Sequence, residues 1–65
     1  MTTRLIRLKE VMHLTGLGRA TVYRYMKDGI FPCSVSLGGG AIAWNEVEIQ
    51  AWILERIEER DARRG

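Results

Sequence analysis

The spacing of apolar side chains predicts two short helices in the first half of the chain. The first stripe recurs at helical intervals and consists of Leu8, Val11, Met12 and Thr15. It predicts a helix from Leu8 to Leu14 or Thr15, with Gly16 at the position of a left-handed C-terminal cap. The second stripe consists of Val22, Tyr25 and Met26. It predicts a helix over about Arg19–Asp28, closed by Gly29.

The link between these helices is short and contains glycine, and we expect Leu17 to anchor it in the core. Two short helices joined by such a turn are typical of a helix-turn-helix. The pattern alone does not decide the function, because short helical hairpins also occur in proteins that never contact DNA. The residues before the first helix, Thr2 to Arg7, are expected to form an extended lead-in.

The middle of the chain changes to a period of two. Ser34–Leu37 and Ala41–Trp44 alternate in polarity, as half-buried strands do, and Ile42 and Trp44 would share one side. Three glycines, Gly38 to Gly40, separate the two runs, so the pattern predicts a β-hairpin. A glycine loop that cradles a nucleotide phosphate is the alternative, but here the loop precedes a strand and no Lys-Ser/Thr pair follows it.

A third helix follows the hairpin. Asn45 and Glu48 have capping-box spacing and would begin a helix that runs from Glu46 to near Asp61. Its expected inward face consists of Ile49, Trp52, Ile53 and Ile57. Val47, Ala51 and Leu54 widen the apolar band, which suits either a helix that covers the whole domain or a dimer contact. The residues beyond it are expected to form a frayed tail.

These elements make one domain over residues 1–65, with an ordered core over about 4–60. The order helix, turn, helix, β-hairpin, helix resembles the winged helix-turn-helix of MerR-like and phage excisionase domains. The predicted fold is therefore mainly α with a small β-hairpin as the wing. A chain of this length buries only about 60% of its unfolded surface, so we expect a marginal core.

The composition excludes several classes of protein. Cys33 is the only cysteine and His13 the only histidine, so no internal disulfide, metal site or cofactor is expected. A single thiol fits a reducing cytoplasm. The sequence contains neither an apolar run of about 20 residues nor a secretory leader, which argues against a membrane location. No Ser/His/Asp set is present and the chain is too small to enclose a substrate, so we do not expect an enzyme.

Charge is distributed unevenly along the chain. Residues 1–28 carry six cations and two carboxylates (+4), residues 29–45 carry no charge, and residues 46–65 carry four cations and six carboxylates (−2). A basic first half and an acidic last helix indicate that one face meets a polyanion, of which DNA is the commonest.

The second helix offers the side chains for such a contact. Its outward face would present Arg19, Thr21, Tyr23, Arg24 and Lys27. We expect Arg19 and Arg24 to contact guanine, Thr21 a thymine methyl group or a phosphate, and Tyr23 and Lys27 the DNA backbone. From the lead-in, Arg4 and Arg7 would reach phosphates, although ordinary solvated charges at a terminus are the alternative for them.

Several short segments carry a closer resemblance: Arg4–Val11, Thr15–Leu17, Thr21–Arg24, Gly29–Pro32, Leu37–Gly39 and Ala43–Trp44. Together they resemble the AlpA-like family of prophage regulatory proteins over roughly residues 4 to 57. The resemblance implies a small transcription regulator that binds double-stranded DNA, with the second helix in the major groove. It also implies that the hairpin tip, near Ser36 and Gly39, touches the flanking backbone or minor groove.

This chain departs from the family at three positions. Relatives usually have Ser where Gly18 stands, and commonly a basic residue near Cys33 and at Gly40. The hairpin is consequently uncharged from Cys33 to Trp44, so we expect the second helix, helped by Arg4 and Arg7, to carry most of the contact.

Two alternatives stay open. The first is an excisionase that bends DNA for an integrase. The second is a protein-interaction module that uses Trp52, Leu54 and the acidic last helix. Expected partners besides DNA are a second copy on an adjacent half-site, an integrase or RNA polymerase.

Overall fold

The computed structural model describes residues 3–64 and contains three helices and a small antiparallel sheet. The elements are, in chain order, β1 (Leu5–Ile6), α1 (Leu8–Thr15), α2 (Arg19–Lys27), β2 (Val35–Gly38), β3 (Ala41–Asn45) and α3 (Glu46–Arg64). The strand order is β1-β3-β2, with both pairings antiparallel. The predicted helices and hairpin are confirmed, and the arrangement is compatible with a winged helix-turn-helix.

The extended lead-in contains a short strand, because Leu5 and Ile6 form β1. Leu5 pairs with Asn45 and Ile6 with Trp44, so β3 becomes the central strand. The side chain of Ile6 is buried, whereas Leu5 is 45% exposed and does not join the core. Thr2, the first residue of the predicted lead-in, lies outside the described residues.

The end of α2 fixes the direction in which the chain leaves the helix. Gly29 has a φ of 76°, and its N–H donates to the carbonyl of Met26 at 3.1 Å. The N–H of Ile30 donates to the carbonyl of Tyr25 at 3.0 Å. These two bonds form a Schellman motif, which needs the left-handed conformation that glycine adopts without strain. The predicted C-terminal glycine of α2 is therefore confirmed, and Gly16 likewise ends α1 with a φ of 75°.

The hairpin turns through Gly39 and Gly40, whose φ angles are 60° and 82°. Positive φ at both central residues is typical of a type I′ turn, which favours glycine. Gly38 belongs to β2 and pairs with Ala41, and the register shifts between Ser36 and Gly38. The expectation that the first strand is half-buried was wrong, since all four residues of β2 are exposed. β2 is an edge strand, and the helices that pack on the sheet contact β3 instead.

The core lies where α1, α2 and α3 meet the central strand. Its buried cluster consists of Ile6, Val11, Val22, Phe31, Trp44 and Ile49. Trp44 has no exposed surface, and Leu17 packs against the cluster as predicted. The cluster takes one apolar residue from each of α1 and α2, so it holds the two helices of the helix-turn-helix in a fixed relation.

The last helix is longer than predicted and less buried. Asn45 Oδ1 accepts a hydrogen bond from the N–H of Val47 at 2.9 Å, which confirms the N-terminal cap. The helix continues to Arg64 because no helix breaker intervenes, and Arg63 and Arg64 suit the negative end of its dipole. Ile57 was expected to face inward but is 40% exposed, since the small core ends before it.

Candidate nucleic-acid interface

Helix α2 buries one side and presents cations on the other. Val22 is completely buried, and Tyr25 and Met26 pack against the core cluster. The outward residues Arg19, Tyr23, Arg24 and Lys27 are exposed, and Thr21 is half-buried. No acidic residue lies in the first turn of α2. The predicted amphipathic arrangement of this helix is therefore present.

Three of the predicted residues come together in one open groove. Its lining residues are Arg7, Leu8, Lys9, Met12, Arg19, Tyr23, Gly40 and Ile42. The groove thus receives residues from the start of α1, from α2 and from the hairpin turn. Three of its lining side chains are cations and none is a carboxylate. Such a surface attracts anions.

Lys9 also lines this groove, although the sequence did not identify it as a site residue. Helical periodicity does not bring residues two apart to one face, so it gives no reason to group Lys9 with Arg7. Arg7 however precedes the helix in an extended conformation, with φ −90° and ψ 169°, so this rule does not apply to the pair. Two cations that flank the first residue of a helix are the signal that would have indicated the cluster.

Arg4 lies apart from the groove and is paired within the protein. Its guanidinium contacts Glu10 at 3.1 Å and Glu46 at 2.9 Å. Its backbone carbonyl also accepts the N–H of Glu46 at 2.9 Å. Arg4 therefore connects the lead-in to the starts of α1 and α3. The geometry favours this structural role over the phosphate contact expected from sequence.

The remaining cations of this half have no such partners. In the part of the chain that the structure describes, no carboxylate lies within 4.0 Å of Arg7, Lys9, Arg19, Arg24 or Lys27. The guanidinium of Arg24 lies 5.6 Å from the centre of the Tyr25 ring, a cation–π contact that steadies the side chain without neutralising it. These five cations keep their charge available to an anionic partner.

The wing, which is the hairpin of β2 and β3, brings a glycine and no charged side chain to the groove. Ser36 is exposed, and its Oγ accepts the N–H of Gly38 at 3.4 Å within the irregular part of β2. Gly39 lies at the tip of the turn, and Gly40 beside it lines the groove. The structure therefore brings the turn next to the cations of α1 and α2, whereas Ser36 and Gly39 are not among the lining residues.

Trp52, a candidate of the alternative interaction surface, is engaged internally. Its indole N–H donates to the carbonyl of Ile30 at 2.7 Å, and its ring meets Phe31 edge to face at 4.9 Å. The guanidinium of Arg56 lies 5.0 Å from the ring centre. Trp52 thus fixes the segment after α2 against α3. Leu54 is 59% exposed and remains free for a contact.

Other kinds of site find little support in residues 3–64. No group of three or more His, Cys, Asp or Glu side chains there is arranged to hold a metal ion. None of the helices over the same residues is long and apolar enough to cross a membrane.

Comparison with known proteins agrees with the resemblance seen in the sequence. The family described as Prophage CP4-57 regulatory protein (AlpA) matches residues 4–57. The chain belongs to this AlpA family. The match has the bounds that the sequence motifs suggested, so that interpretation is confirmed. The basic groove and α2 both lie within the matched residues.

Two relatives of this AlpA-family chain bear on its function. It is 49% identical over 57 residues to Uncharacterized protein ORF88 of Enterobacteria phage P4, an alignment that covers 88% of this chain and 65% of that protein. The chain thus spans slightly less than two thirds of that relative. It is 36% identical over 61 residues to the DNA-binding transcriptional activator AlpA of Escherichia coli strain K12, covering 85% of this chain and 87% of the relative.

Proposed function

We propose that this AlpA-family protein is a sequence-specific regulator of transcription that places α2 in the major groove of double-stranded DNA. The observation that carries the proposal is the outward face of α2, where Arg19, Arg24 and Lys27 are exposed and no described carboxylate pairs with them. The name of the Escherichia coli relative supports the same class of function. A DNA partner also fits a cytoplasmic location.

The outward residues of α2 would make different kinds of contact with DNA. Arg24 is a candidate for bidentate contact with guanine, which contributes about 1–3 kcal/mol of discrimination when it forms. Thr21 would contact a thymine methyl group or a phosphate. Tyr23 and Lys27 would hold the backbone and so set the register of α2 on the duplex. The wing residues Ser36 and Gly39 would add contacts through the hydroxyl and the backbone, since neither carries charge.

One copy of the domain would bind weakly, because five unpaired cations supply only a modest electrostatic attraction. We therefore propose that two copies occupy adjacent half-sites, about 10–10.5 base pairs apart, as helix-turn-helix proteins do. Footprinting on the selected site tests this spacing directly. A single protected region no longer than about one helical turn of DNA would show that one copy suffices.

The experiment that tests the function is selection of duplexes from a random pool, followed by affinity measurements on the selected sequence. We expect Arg24→Ala to lower affinity for the selected duplex about tenfold or more, with a smaller effect on an unrelated duplex. Arg63→Ala is the matched control, since it removes the same charge from the exposed end of α3. No binding to any duplex at low salt would contradict the proposed function.

A further inference from the structure

The basic groove collects residues from the N-terminal ends of two helices. Arg7 is the N-cap of α1, Lys9 lies in the first turn of α1, and Arg19 is the first residue of α2. All three line the same groove, beside Tyr23 and the hairpin turn at Gly40. Arg7, Lys9 and Arg19 are up to twelve positions apart in the sequence, and the fold brings them to one groove.

Cations at these positions oppose the electrostatics of the helices themselves. The first N–H groups of a helix have no internal acceptor and give its N-terminus partial positive charge, so anions are favoured there and cations are not. Neither helix compensates with a side-chain cap, since Arg7 and Gly18 as N-cap residues make no such hydrogen bond. The groove therefore combines two helix N-termini with three cationic side chains.

Within residues 3–64, no carboxylate supplies an anion to this groove. Glu10, the only acidic residue in the first turn of α1, is paired with Arg4. The first turn of α2 contains no acidic residue. None of the groove's lining residues is a carboxylate. Exposed cations beside two helix N-termini form an arrangement that binding of an external anion would stabilise.

We infer that this groove is a clamp for the DNA backbone, in which Arg7, Lys9 and Arg19 each contact a phosphate of one stretch of strand. The hydroxyl of Tyr23 would provide a further donor, and the absence of a side chain at Gly40 keeps the opening clear. This inference rests on the proposed DNA binding and adds Lys9 to the interface. It also reassigns Arg19 from guanine contact to backbone contact, which leaves sequence discrimination to Arg24 and Thr21.

The salt dependence of DNA binding tests the clamp. We expect Lys9→Ala to lower affinity by the same factor on a selected and an unrelated duplex of about 20 base pairs. It should also reduce the slope of log affinity against log salt by about 0.9, which corresponds to the loss of one phosphate contact. Arg19→Ala should behave in the same way. Arg63→Ala, which removes one charge from the last turn of α3 outside the groove, should leave the slope nearly unchanged.

Stability in the absence of DNA provides an independent readout. Lys9→Glu replaces a cation by an anion in the first turn of α1, so the melting temperature should rise by about 2–4 °C. The same change should lower DNA affinity about tenfold or more, because it removes a phosphate contact and adds repulsion. Lys9→Gln is the matched control for side-chain length, with intermediate results in both assays. Lys9 is exposed, so these variants should retain the fold, which circular dichroism checks.

The outcomes separate this inference from the function on which it rests. If the wild-type protein binds DNA and Lys9→Ala has the same slope as Arg63→Ala, the clamp is wrong and the DNA-binding function stands. The reassignment of Arg19 is wrong if Arg19→Ala affects the selected duplex and spares the unrelated one. If the Lys9→Glu variant has a melting temperature at or below that of the wild-type protein, the cation at this position does not oppose the helix dipole as argued. Failure of the wild-type protein to bind any duplex overturns both proposals.

Discussion

The helix-turn-helix and the last helix handle their charges in opposite ways. In α3, Arg56 pairs with Glu59 at 2.8 Å and Arg60 with Asp61 at 2.9 Å, so two of the four cations of this helix have a carboxylate partner on the same helix. In α1 and α2, Lys9, Arg19 and Arg24 have no carboxylate partner among the described residues. The difference shows that pairing, rather than the net charge of +2, indicates which face is prepared for a polyanion.

The two regions also differ in their apolar surface. The outward side of α2 shows only the ring of Tyr23 at 41% exposure, whereas α3 exposes Val47 at 61% and Leu54 at 59%. A stripe of this kind suits contact with protein better than contact with DNA. The proposed DNA contact lies on the side of α2, so we expect a second copy, an integrase or a polymerase to meet the domain at α3.

The largest expected effect comes from breaking the core that both regions share. Trp44 lies on the central strand with no exposed surface, and Trp44→Ala should destabilise the domain by about 3–5 kcal/mol. A 65-residue chain has little stability to lose, so both regions should unfold together. Thermal circular dichroism measures this.

Trp44→Phe is the control for that substitution. Among the described residues, the indole Nε1 of Trp44 is buried without a hydrogen-bond partner. Replacing the indole removes the cost of burying that N–H, and this gain partly offsets the packing lost with the smaller ring. The phenylalanine variant should remain folded, with a melting temperature well above that of Trp44→Ala. Equal losses for the two variants would contradict the claim that packing, rather than the indole N–H, is what Trp44 contributes.

A smaller effect is expected at Arg4, which tests the distinction between paired and unpaired cations within the basic half. Arg4→Ala removes two exposed ion pairs, to Glu10 and Glu46, and should cost about 1 kcal/mol of stability. It should leave the salt slope of DNA binding nearly unchanged, unlike Lys9→Ala. A reduction of the slope by about 0.9 would show that Arg4 contacts phosphate after all.

The smallest expected effect is at Gly18, where α2 begins without a side-chain cap. The backbone there is extended, with φ −79° and ψ 163°, and an added Cβ would meet no atom within 4 Å. Gly18→Ser should therefore stabilise α2 by a few tenths of a kcal/mol, or roughly 1–3 °C in melting temperature. A neutral result in both melting and DNA affinity would remove the claim that this position is a weak point of the helix.

Much of the fold follows from local pattern, and the departures have identifiable causes. Helical stripes and glycines located α1 and α2, because these signals are contained within a few residues. β1 was missed because a two-residue strand has no periodicity, and its pairing with β3 spans about forty positions. The burial of Ile57 was overestimated because the stripe continues past the end of a small core.

The candidate site was likewise predicted only in part. The outward face of α2 followed from helical geometry, so Arg19, Tyr23 and Arg24 were identified correctly as exposed residues of one helix. The groove depends on the approach of three elements, which no local pattern encodes, and Lys9 was therefore not recognised. The pairing of Arg4 with Glu46 is a contact between residues 42 positions apart, which the sequence alone does not reveal.

We propose that the unpaired cations of α1 and α2 bind phosphates, while the paired cations of α3, Arg56 and Arg60, do not. The salt dependence of wild-type affinity for a selected duplex tests it most directly. With phosphate contacts from Arg7, Lys9, Arg19 and Lys27, the slope of log affinity against log salt should be about −3 to −4 for each bound copy. A slope near zero, or one that Arg60→Ala reduces as much as Lys9→Ala does, would contradict this assignment.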